Sequence, residues 1–63
     1  MESLDKAIEA AYQAEISNLY KAFSEGMLAA KDNELMIKGA KERFKVGLER
    51  AAHIHNTALS LIK

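Results

Sequence analysis

Apolar residues recur at helical spacing through nearly the whole chain, in two uninterrupted runs. In the first, Leu4, Ile8, Ala11, Tyr12, Ile16, Leu19, Phe23, Met27 and Ala30 gather on one face at about 100° per residue, with Glu2, Lys6, Glu9, Gln13, Ser17 and Ser24 opposite. In the second, Met36, Ile37, Ala40, Phe44, Gly47, Leu48, Ala51, Ile54, Ala58, Leu59 and Ile62 share a face, backed by Lys38, Glu42, Lys45, Glu49, Asn56 and Ser60. Strand-like alternation persists nowhere, and proline is absent. The pattern allows two long amphipathic helices. The first stripe repeats at eleven residues (Ile8/Leu19/Ala30, Tyr12/Phe23, Ile16/Met27), which keeps a helix nearly straight.

The break belongs at Lys31-Asp32-Asn33-Glu34. Lys31 suits a helix C-terminus, Asp32 or Asn33 can cap the next helix, and Glu34 suits the positive end of its dipole. Helix 1 is therefore expected over about residues 3–31, a turn over 31–34, and helix 2 over about 34–62. One all-α antiparallel hairpin would then occupy residues 1–63. Gly26 or Gly39 could instead break a helix, giving three helices around a short middle segment.

Each helix would hold about 28 residues, on the order of 40 Å at 1.5 Å per residue. Their apolar faces span roughly 140–160°, wider than one partner helix covers. With 63 residues and no cysteine, the chain has a small core and no disulfide to hold it. A second copy supplies the missing cover, so a homodimeric four-helix bundle is expected, a higher oligomer being the other solution. Charge agrees with close packing of the halves. Residues 1–30 carry two bases and five acids, and residues 31–63 carry seven bases and four acids, giving −3 and +3.

His53 and His55 look at first like a His-x-His metal site. On a strand they would share a face, but on a helix they stand about 200° apart and cannot hold one ion. His53 falls on the polar side one turn after Glu49, where an exposed Glu–His pair is worth a few tenths of a kcal/mol. His55 falls in line with Phe44, Leu48, Ala51 and Ile62. Its ring nitrogens need partners there, either a nearby backbone or side-chain group or, on a sharper reading, a metal or a transferred proton.

Glu15 poses the same question on helix 1, among Ile8, Ala11 and Leu19. With the turn at 32–33, residue i stands level with roughly 65 − i. That sets Glu15 beside Arg50, predicting an ion pair between helices, and sets His55 level with residue 10.

Other chemistry is thin. Lys38, Lys41 and Lys45 line one side of helix 2, but Glu42 interrupts them and the formal net charge is zero, so nucleic acid is not an expected partner. The glycines form no phosphate loop, and no serine stands at a matched spacing from a base. No catalytic constellation is visible. No apolar run approaches the roughly 20 residues that span a bilayer. The opening MESLDKAIEAA has acids where a signal peptide needs a basic start, so a cytoplasmic setting is expected.

The run AIEAAYQAEISNLYKAF, followed by FKVGLERAAHIHNTAL, resembles one helical hairpin of the ferritin-like, rubrerythrin-type proteins. The resemblance covers about fifty residues and rests on Ala7-Ile8-Glu9, Tyr20, Phe23, Phe44 and His55. It implies a four-helix bundle of two hairpins holding iron or another divalent metal, with Glu15 and His55 as this chain's ligands. The family's Glu-x-x-His pair is not reproduced: Ala52 precedes His55 by three, and Arg50 precedes His53 by three. Two functions are thus expected in order. The first is a homo-oligomeric interaction or scaffold module with no catalytic site. The second is a metal-binding bundle assembled from two half-length chains.

Overall fold

A computed structural model describes residues 3–63. It consists of α1 (Leu4–Ala30) and α2 (Glu34–Leu61), packed side by side as an antiparallel hairpin, with no strand among the described residues. The Cα trace measures 50 × 17 × 6 Å. It is a single layer of two helices.

Local chemistry explains both starts. The Ser3 hydroxyl accepts from the Asp5 N–H at 3.1 Å, and Asp5 places a negative charge in the first turn of α1. At α2 the Asn33 carboxamide oxygen accepts from the Met36 N–H at 3.0 Å. Of the two candidate caps, Asn33 holds the position. Between the helices the Asn33 N–H bonds the Ala30 carbonyl at 2.8 Å, while Lys31 adopts φ 52° and ψ −115°. Those angles are the first central position of a type II′ turn, which glycine fills without steric cost. Lys31→Gly is accordingly expected to raise stability by about 1 kcal/mol, the strain relieved exceeding the entropy that glycine adds to the unfolded chain. Urea unfolding at fixed protein concentration measures it, and an unchanged or lower midpoint would refute the assignment.

Gly26 and Gly39 do not break the helices. Both lie within continuous helix, so the three-helix alternative is corrected. A Cβ built at Gly26 would sit 3.4 Å from the Ala40 Cβ, an ordinary van der Waals contact. Gly47 is where glycine allows close approach, its missing Cβ falling 2.7 Å from Leu19 Cδ2. The seam otherwise runs through Ile8, Tyr12, Ile16, Leu19 and Phe23 of α1 against Phe44, Leu48, Ala51 and His55 of α2. Phe23 and Phe44 stack with centroids 4.5 Å apart and planes at 15°. The pairs Leu19/Gly47, Gly26/Ala40 and Phe23/Phe44 set residue i level with roughly 66 − i, one residue from the expected register.

Candidate functional site

The most polar feature of the seam lies near its open end. His55 projects from α2 into the interface with its side chain 15% exposed. Its Nε2 lies 2.9 Å from Oε1 of Glu9 on α1, and its ring stacks on Tyr12 at 4.2 Å with planes at 22°. Gln13, one turn along, donates to the other Glu9 oxygen at 3.4 Å. An ionised carboxylate only accepts, so Nε2 carries the hydrogen it donates. The hydrogen bond from His55 is the main reason the Glu9 carboxyl is held below its ordinary value of 4.5. The Gln13 hydrogen bond acts in the same direction, desolvation opposes both, and the charge of His55 adds the smallest lowering effect.

The pair joins the two helices. Beside it, Ile8, Ala11, Tyr12, Glu15, Ile54 and Ala58 line a shallow hollow together with His55. The linkage has a definite sign. Because folding lowers the Glu9 pKa, its contribution is present above about pH 4.5 and is lost as pH falls through the folded value. Glu9→Gln should therefore lose stability at neutral pH relative to the parent, with the difference closing between about pH 5 and 3. Urea midpoints across that range measure it. A difference that is constant with pH would show that the charge of Glu9 is not what matters.

The other residues singled out by the sequence fall as follows. Glu15 and His55 line the same hollow, as the metal reading requires, but Nε2 of His55 is already engaged by Glu9. Among the described residues no group of three or more His, Cys, Asp or Glu is arranged to hold a metal ion. The expected Glu15–Arg50 ion pair does not form. Both side chains are exposed, and the cross-helix pair among the described residues is Glu9–His55. The physical reason is direction: Glu15 and Arg50 stand at one level but both point out of the layer rather than into the seam. His53 is exposed, and its carbonyl accepts from the Thr57 hydroxyl at 2.8 Å, with no ion pair to Glu49. Lys38, Lys41 and Lys45 are exposed on α2.

A second feature is larger. Three successive hollows run along one face of the layer, each lined by both helices. Ala11, Glu15, Ala22 and Ala29 of α1 face that way, as do Met36, Arg43, Ile54 and Ala58 of α2. Arg50 belongs to the same strip, seven residues after Arg43 and four before Ile54. The opposite face carries Lys41, Lys45, Glu49 and Asn56, all exposed. Met36, Ile54 and Leu61 are 48%, 57% and 79% exposed, so the apolar strip is open to solvent. No family model, curated protein or solved structure matches this chain. Among the described residues no helix is long and apolar enough to cross a membrane.

Proposed function

We propose that this protein is an assembly module: copies of the hairpin pair through their apolar faces into a four-helix bundle that serves as an interaction or scaffold element. One observation carries the reading. Among the described residues the apolar side chains buried in a single hairpin are the small ones of Ala30, Ala40 and Ala51; larger seam residues such as Leu19, Phe23 and Phe44 are only half-buried, and Leu4, Met36, Ile54 and Leu61 stay exposed. Burial this shallow leaves little to offset the entropy of ordering the chain. Association supplies the rest.

Sedimentation equilibrium together with thermal melting tests this. A dimer or larger species is expected, with a melting temperature that rises over a roughly hundredfold range of protein concentration. A cooperative monomer whose melting ignores concentration would overturn the proposal.

A metal-binding, ferritin-like bundle is the second reading, favoured by the shared hollow of Glu15 and His55. One chain offers that pair alone, so two copies would have to combine their ligands. Elemental analysis of untagged protein decides. Stoichiometric iron, manganese or zinc that is lost in His55→Leu would establish the metal reading.

A further inference from the structure

Resting on the assembly reading, the geometry points to one particular dimer: two hairpins stacked face to face about a twofold axis parallel to the helices, with both turns at the same end. The face has the right size. From its 50 × 17 Å extents the footprint is about 850 Å², matching the roughly 800 Å² per partner of a stable interface. Small residues on it, among them Ala11, Ala22 and Ala29, let a second layer approach closely.

Charge chooses between the two ways of stacking such layers symmetrically. An axis along the helices lays α1 of one copy over α2 of the other. At a register of roughly 66 − i, Arg50 then stands within about two residues of the level of Glu15 in the partner copy, and Arg43 within about two of Glu25. All four side chains are exposed, and none of them is in an ion pair within the single hairpin. The N-terminal half, at −3, would also lie against the +3 half of both chains.

An axis across the helices lays α1 over α1 and α2 over α2. With full overlap, Glu15 stands about 6 Å along the axis from its own copy, because it lies two residues from the midpoint of α1. Arg43 then lies almost level with Arg50 of the other copy. Halves of like charge would be stacked, acid on acid and base on base. Like charges opposite one another favour the first arrangement.

The chain has no cysteine, so Asp32→Cys in the exposed turn gives a unique attachment point for a nitroxide label. Labelled protein is examined by sedimentation and by pulsed dipolar spectroscopy. With turns together, the label separation should be on the order of 20–30 Å, given layers about 10 Å apart and two label arms. Turns at opposite ends would give a separation near the 50 Å length of the hairpin. A dimer with the long distance would overturn this arrangement and leave the assembly reading standing, whereas a monomer would overturn both. The charges are tested separately. Glu15→Arg should weaken dimerisation roughly tenfold, since the pair occurs twice by symmetry, and adding Arg50→Glu should restore it. Unchanged dimerisation in Glu15→Arg, or no recovery in the double variant, would overturn the charge pairing.

Discussion

Phe44→Ala is expected to lower the stability of the folded protein by about 2–3 kcal/mol. Truncating a phenylalanine in a closed core costs about 3–5 kcal/mol, and Phe44 is only half-buried, which moves it to the lower end. Its ring also stacks on Phe23 at 4.5 Å, a contact worth about 0.5–1.5 kcal/mol beyond the area it buries. Urea unfolding at fixed protein concentration measures the loss. Phe23→Ala should lose a similar amount, and the two changes together less than their sum, because both remove the same stack. The hollow beside this pair, lined by Leu19, Ala22, Ala40 and Arg43, opens on the apolar face. Weaker association should therefore accompany lower stability. A loss under about 1 kcal/mol would show that the rings do not hold the middle of the hairpin.

The helices, the turn and the register were legible because each depends on short-range pattern. Periodicity without proline gave the two helices, and Asn33 supplied a cap whose geometry depends on its neighbours alone. Those two facts set the register to within one residue. Direction around the helix was harder. Glu9 looked like a solvent-face residue because it is charged, yet Met27 lies eighteen residues beyond it, about five full turns, and so at the same angle. A glutamate at that margin has the reach to meet an imidazole already level with residue 10. Angular position alone could have found it; residue type hid it. Glu15 misled in the opposite sense. It lies among apolar residues in the sequence pattern, but one neighbouring helix covers only part of so wide a stripe. Glu15 stands on the uncovered part and is exposed. What covers that part depends on a second surface, and a single-chain pattern records only that some cover is needed.

Gly47→Leu is the other change expected to have a large effect, a loss of about 3 kcal/mol or more. The glycine is not needed for its backbone freedom, since it lies in regular helix without a positive φ. Close approach is the reason for it. A Cβ there would fall 2.7 Å from Leu19 Cδ2 and 3.5 Å from Leu19 Cδ1. Alanine meets mainly the end of a flexible side chain, and it gains about 1 kcal/mol of helix propensity over glycine. Gly47→Ala should accordingly be nearly neutral, as Leu19 turns aside. Leucine has no such escape, because its remaining carbons occupy the volume into which Leu19 would turn. The helices must then separate at the seam, weakening the neighbouring Phe23–Phe44 stack as well. Moving the bulk across the seam tests the cause. Leu19→Ala alone should lose about 2 kcal/mol by leaving a gap. Combined with Gly47→Leu it should recover most of the stability, because one leucine again fills one space. Losses that simply add would show that the two side chains do not compete for that space, and that the close approach of α1 to α2 at this level is wrong.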